Sequence, residues 1–227
     1  MSAATSTAAT RAVPRAGAIV MRADTFVLSG RAQVSTMVPR TGASSLDDFL
    51  RTSASDTTLL GTEDYDVVNE RLWRCRQPAV PWFQISIIPV FTEVIERPIG
   101  RTSVDIRVLS AEAFLDGDKG SETIMGRAMG ELMASSSMSG CNALEWSETA
   151  DASGWTLTGD IALTVTLARP RLLPMPRRIF ERAGSEIIRS TCAARGSAFL
   201  EDVSAAYAVW SRAQLNALEP AEDEALR

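Results

Sequence analysis

The sequence predicts an α+β fold: a curved antiparallel sheet gripping one long C-terminal helix, with two short helices after the first strand. Three observations carry this. Within SGWTLTGDIALTVTLARP (153–170), residues 155–168 place an apolar residue at every odd position but one, the pattern of a long strand with one dry face and one wet face. Several further strand-like runs precede it, separated by short stretches of turn residues, which is the spacing of antiparallel neighbours. From Ser185 to about Ala213, Ile188, Cys192, Phe199, Val203, Tyr207 and Trp210 recur at intervals of three, four and seven. That is one apolar stripe on a long helix.

The elements follow in order. TFVLSGRAQVSTMV (25–38) alternates, with Phe26, Leu28, Ala32, Val34 and Val38 on one face and Ser29, Arg31, Gln33 and Ser35 on the other. SSLDDFL offers a Ser cap, early acids and a short apolar face, so a short helix follows, and SDTTLL predicts a second. TEDYD reads as a turn before a short strand, NERLWRCR (69–76). WFQISIIPVFTEVIE (82–96) and RTSVDIRVLSAEAFL (101–115) are longer strands, with Pro98 and Gly100 bending the chain between them. SETIMGRAMGEL (121–132) has helical character. CNALEWSE (141–148) and the strand over 155–168 flank TADASG as a hairpin. A proline-punctuated loop, RPRLLPMPRR, leads into the long helix. The dry face of 155–168 is expected to cover that helix.

At 227 residues and 45% apolar, the chain can bury one good core. No segment reaches the roughly 18–20 uncharged apolar residues of a membrane span, although peripheral contact with a membrane stays open. Residues 1–45 carry Arg11, Arg15, Arg22, Arg31 and Arg40 against the single acid Asp24, which leaves the rest of the chain clearly acidic. Such a body argues against general nucleic-acid binding, which needs Lys and Arg to neutralise phosphates. Residues 1–22 are rich in Ala, Ser and Thr, contain Arg and lack acids, the composition of an organellar transit peptide. The Ser/Thr weight favours a plastid, with the protein in the stroma or at the stromal thylakoid surface. The expected division is a transit peptide (1–22), a single domain (23–213) and an acidic, frayed tail (214–227).

Histidine is absent. This removes Ser-His-Asp and Cys-His nucleophilic machinery and ordinary zinc or non-haem iron sites. Cys75, Cys141 and Cys192 are odd in number and far apart, so they form neither a metal-binding pair nor a disulfide framework, and a reducing compartment follows. Cys141 and Cys192 are expected to be buried and inert. Phosphate-loop and dinucleotide-binding glycine patterns are missing, and no cofactor is expected. LDGDKGSE (115–122) has Ser121 where a calcium loop needs its bend glycine, so it reads as a turn. No catalytic residue and no metal ligand is assigned.

This order of elements resembles the helix-grip architecture of START and polyketide-cyclase-like proteins. LDDFLRTSASDTTLL, ISIIPVFTEV, CNALEWS, LPMPRRIFERAGSEII and FLEDVSAAYAVW are also similar to a family of cyanobacterial and plastid proteins, known as the domain of unknown function numbered nineteen ninety-seven. The family's last motif commonly reads acid, Tyr, Trp. Here Asp202, Tyr207 and Trp210 are present with a wider acid–Tyr spacing, so no role passes to Asp202. The resemblance implies the fold and a plastid address, and supplies no site residue.

Three functional readings follow. In the first, an apolar small molecule (a lipid, pigment or isoprenoid) sits between sheet and helix, where small residues such as Gly159, Gly196, Ala198 and Ala206 leave a gap. Its expected lining is Leu157, Gly159, Ile161, Leu163, Val165, Ile188, Cys192, Phe199 and Val203. In the second, the chain is a non-enzymatic assembly or scaffold factor, meeting a plastid protein or the thylakoid surface through Arg169, Arg171, Arg177 and Arg178, which surround Leu172, Leu173 and Met175. In the third, a buried Asp105 or Asp160 acts as a general base, as histidine-free cyclase-like chemistry would allow.

Overall fold

A computed structural model describes residues 25–42, 44–82, 85–116, 136–168 and 176–218. Their strands are β1 (Thr25–Pro39), β2 (Tyr65–Asn69), β3 (Leu72–Arg76), β4 (Val80–Trp82), β5 (Ile85–Glu96), β6 (Ser103–Leu115), β7 (Ser137–Glu148) and β8 (Gly154–Ala168). The α-helices are α1 (Leu46–Arg51), α2 (Asp56–Leu59) and α3 (Arg177–Leu218). The strands form one antiparallel sheet in the order β1-β8-β7-β6-β5-β3-β2, with β4 also paired to β5. Helix α3 packs along β1 and β8, and α1 and α2 follow β1 in the chain. This is the α+β helix-grip arrangement that the alternation and the helical stripe imply.

β1 meets β8 along its whole length, from Thr25 opposite Ala168 to Pro39 opposite Gly154. Its expected dry face holds: Phe26, Leu28 and Val38 are buried, and Gln33 and Ser35 are exposed. A strand at a sheet edge presents unpaired N–H groups, and here α3 takes two of them. Val27 N donates to Glu181 Oε1 (3.4 Å) and Ser29 N to Ser185 Oγ (3.1 Å). Helix α1 opens with a capping box in which the Ser45 hydroxyl accepts from Asp48 N and the Asp48 carboxylate accepts from Ser45 N.

Two sequence expectations need correction. Tyr65 and Asp66, read as the end of a turn, open strand β2 (Tyr65–Asn69), which forms a hairpin with β3. It alternates poorly because most of it is exposed at the sheet's far edge. The long helix begins at Arg177, not Ser185, and runs to Leu218, so Arg177 and Arg178 belong to its first turn and not to the preceding loop. The helix expected at 121–132 and the loop over 169–175 lie outside the described residues, as does the transit segment.

The buried line of α3 explains the missed start. It runs Phe180, Gly184, Ile188, Cys192, Gly196, Leu200, then Val203, Tyr207 and Ser211. Steps of four overshoot the 3.6-residue turn, so the line winds around the helix over its first half before it settles. Two glycines in that line weaken any apolar pattern, yet both are needed for contact. A methyl on Gly184 would stand 2.9 Å from Leu28 Cδ1, and one on Gly196 would collide with Ile161. On the other side of the seam, a methyl on Gly30 of β1 would lie 2.5 Å from the Arg189 backbone N.

Two apolar clusters result. One joins α1, α2, the Trp146–Trp155 end of the sheet and Tyr207, whose hydroxyl donates to Ser44 O at 2.9 Å. The other joins Phe26, Leu28, Leu167, Phe180 and Ile188 at the opposite end.

Candidate ligand-binding site

Helix α3 lies tight against β1 and β8 but stands away from β5, β6 and β7. Between them is a cavity of about 310 Å³. That is the lower end of the range for small-molecule sites. Its sheet wall comes from inward residues of four strands: Ile87, Phe91 and Glu93 of β5, Ile106 and Val108 of β6, Met138, Gly140 and Asn142 of β7, and Ile161, Leu163 and Val165 of β8. Leu59, Leu60 and Gly61 after α2, with Gln77 and Pro78, border one side. The helix contributes Ile187, Ile188, Thr191, Cys192, Arg195, Ala198, Phe199 and Asp202. As the buried line winds toward β1 and β8, the face with Thr191, Arg195 and Asp202 is left over the open space.

The border is held by Arg97 at the end of β5. Its guanidinium donates to Leu50 O (2.7 Å), Thr52 O (3.2 Å) and Ser55 Oγ (3.1 Å), and it pairs with Asp56. This ties α1 and α2 to the sheet. Gln77 Nε2 donates to Leu60 O (3.2 Å), which fixes the segment nearest the cavity.

Of the expected lining residues, Ile161, Leu163, Val165, Ile188, Cys192 and Phe199 border this cavity together, as do Gly196 and Ala198. Leu157 and Val203 are instead packed in the cluster with Tyr207. Gly159 leaves no void: Leu200 Cδ2 and Val34 Cγ2 already lie 3.4 and 3.3 Å from where its side chain would begin. Ala206 packs against the same cluster. The cavity exists because the helix leans to one side of the sheet, not because glycines leave holes.

Two polar groups stand on the apolar sheet wall. Glu93 is only 6% exposed. Burial pushes its carboxyl up to about 7, against a smaller downward pull from a hydrogen bond with Cys75. The same burial, and the neighbouring Glu93, push the Cys75 thiol up to about 12. Asn142 Oδ1 is buried with no hydrogen-bond partner. Sequence reasoning passed over both residues, although parity marks them. Glu93 falls in step with Ile87, Phe91 and Ile95, and Asn142 in step with Leu144 and Trp146.

The carboxylates singled out earlier lie on the outer face. Arg31 Nε donates to Asp160 Oδ1 at 2.7 Å, which holds the Asp160 carboxyl below its ordinary range. Asp105 stands opposite Glu96 and Ala143 on that same face. Neither can reach a molecule in the cavity. Cys141 is exposed on the outer face, not buried, while Cys192 is buried as expected. Both thiols are shifted upward, chiefly by burial, so neither is poised as a thiolate. Arg177 and Arg178 are exposed, and Arg177 Nε pairs with Glu181 at 2.9 Å. Arg169 and Arg171 lie outside the described residues. Among the described residues, no group of acids and thiols gathers as a metal site, and no helix is long and apolar enough to cross a membrane.

No family model matches the chain, and no curated protein does. Among solved structures, an uncharacterised protein from Rhizobium leguminosarum aligns over 80% of this chain and 97% of its own at 6% identity, with a TM-score of 0.36. A protein from Rhizobium loti aligns over 79% and 98% at 10% identity, TM-score 0.36. Ara h 8.0201 aligns over 80% and 98% at 10% identity, TM-score 0.31. At such scores these likenesses carry no argument. The architecture rests on the strand order and the helix seam described above.

Proposed function

We propose that this protein binds an apolar small molecule between the sheet and α3. The observation that carries the reading is the cavity of about 310 Å³, walled by aliphatic side chains of four strands and one helix. A well-packed domain of this size fills its interior to crystal-like density, so a space of several methylene groups is a departure that a ligand accounts for. The acid on its wall is buried and protonates near neutrality, so the interior need not carry a charge. A plastid location, kinship with the cyanobacterial and plastid family, and a lipid, pigment or isoprenoid as occupant belong to the same proposal.

Native mass spectrometry of the protein from its own cells, before and after organic extraction, tests the reading. A stoichiometric small mass removed by extraction supports it; a bare chain under both conditions counts against it. Residues 1–22 fused to a fluorescent protein should accumulate in plastids, and diffuse fluorescence would defeat that part.

A second reading, docking at a protein or anionic membrane surface, draws on Arg178 and the exposed Ile179 beside it at the start of α3. Sedimentation with anionic vesicles, comparing the parent with the four arginines 169, 171, 177 and 178 changed to glutamine, decides it. Equal binding would reject it.

A further inference from the structure

Resting on the binding reading above, we infer that the molecule held between the sheet and α3 is an amphipathic monoanion, a hydrocarbon body ending in a carboxylate. Its head lies at the cavity mouth, against Arg195. The helix supplies the first observation. Where α3 borders the cavity, its residues fall in two lines. Ile188, Cys192 and Gly196 are buried. Thr191, Arg195, Ala198 and Asp202 follow at steps of four, three and four, and are half-buried or exposed. This second line is one face of the helix, and it forms the rim where the cavity meets solvent.

Arg195 is set apart on that rim. Among the described residues it is the one basic side chain that borders the cavity. Its helical neighbours three and four residues away are Thr191, Cys192, Ala198 and Phe199, and none is an acid. Elsewhere on α3, Arg177 pairs with Glu181 and Arg189 with Glu186. No carboxylate among the described residues stands within salt-bridge reach of Arg195. A guanidinium fork is thus free at the edge of an apolar space. Thr191 lies one turn nearer the helix N-terminus, the direction in which long helical side chains lean, so its hydroxyl and the guanidinium meet one head group together.

The nearby acids do not bar an anion there. Asp202 is seven residues further along, about 10 Å of helix rise on a solvated rim, where salt screens it. Glu93 is buried on the sheet wall and keeps its proton up to about 7. A carboxylate matches the site in charge and shape, since its two oxygens accept the two parallel N–H groups of one guanidinium. A phosphate monoester would bring nearly two charges to a rim with one base. Behind the rim, about 310 Å³ of aliphatic space takes a hydrocarbon body on the order of ten carbon atoms, at about 30 Å³ for each water-sized group.

The test uses the full chain at a pH of about 6, where fatty carboxylates are ionised and Glu93 is mostly protonated. Nile red reports occupancy, and decanoate and decanol, each below its micellar concentration, displace it. The two probes share one chain, so comparing their affinity ratio between parent and variant isolates the head group. In Arg195→Gln the preference for decanoate over decanol should fall about fivefold, the effect of one charge-assisted pair at a solvated rim. Arg212→Gln makes the same change in net charge at an exposed position of α3 away from the cavity, and should leave the preference unchanged. An unchanged preference in Arg195→Gln, or an equal fall in Arg212→Gln, overturns the inference. Decanoate that fails to displace the dye from the parent does so too. If Nile red does not bind the parent, the binding reading itself falls. If the dye binds but the preference does not move, only this inference falls.

Discussion

Replacing Glu93 with glutamine should stabilise the protein at alkaline pH and leave it nearly unchanged in mild acid. The side chain is 6% exposed, with Trp73 opposite it on β3 and Val108 opposite it on β6. Folding raises its carboxyl from 4.5 to about 7, chiefly because burial penalises the charged form. Between those values the folded chain keeps a proton that the unfolded chain releases, so stability falls as pH rises through that window. Below it both states are protonated, and above it both are ionised. Each pH unit of the difference is worth about 1.4 kcal/mol, which puts the full penalty above neutrality at about 3 kcal/mol. Glutamine keeps the shape and never ionises.

The assay is urea unfolding of both proteins at a series of pH values from about 4 to about 8. Every other titrating group is common to the two, including Arg195 and Asp202, which border the same cavity from α3, and Cys75 from β3. The difference between the curves therefore reports Glu93 alone. It should start near zero and grow to about 2–3 kcal/mol in favour of the glutamine protein. A difference that stays constant across the series, or a glutamine protein that is weaker at every pH, would refute the burial argument.

Three further outcomes follow from the packing. Gly30→Ala should lower stability by about 2–3 kcal/mol, or about 5–10 °C in thermal unfolding, because the new methyl meets the α3 backbone at Arg189; an unchanged Tm would mean the seam is looser than drawn. Ser45→Ala should cost about 1 kcal/mol in chemical denaturation by opening the α1 capping box. Arg97→Met should cost about 3 kcal/mol, with hydrogen exchange accelerating selectively over residues 46–60, since one guanidinium holds three acceptors and Asp56 there; uniform acceleration across the chain would contradict the local role.

Most of the fold was legible because strand parity is a local property. In β1 and β8 every second residue reports the face it occupies, and the alternation survives even where glycine interrupts it. β2 was not legible, since a strand exposed along most of its length has no reason to alternate, and the turn-forming acids before it dominate the pattern. The start of α3 was hidden by Gly184, whose place in the helix is dictated by Leu28, a residue of β1 on the facing wall. For the site, the aliphatic wall from Ile161 to Val165 could be read directly. The two polar groups could also have been read, had parity been followed through Thr92–Ile95 and Cys141–Trp146 and not only through the longest strand.

The location of the cavity was beyond sequence reasoning for a reason that also bears on its function. Small residues mark where a helix can come close, and without knowing the pairing they look like holes. Gly30, Gly184 and Gly196 are each filled by a neighbour from across the seam, and that filling draws α3 onto β1 and β8. A helix is a straight cylinder and the sheet is a curved surface, so tight contact at one flank requires separation at the other. The glycines that close the seam thereby open the space in front of β5, β6 and β7. Binding and stability are coupled through one lever: a side chain added to the seam pushes α3 toward the open flank, reducing the cavity as it weakens the fold. Gly30→Ala should therefore lose affinity for Nile red even in the cold, where the protein is still fully folded. Retained affinity would separate the cavity from the seam.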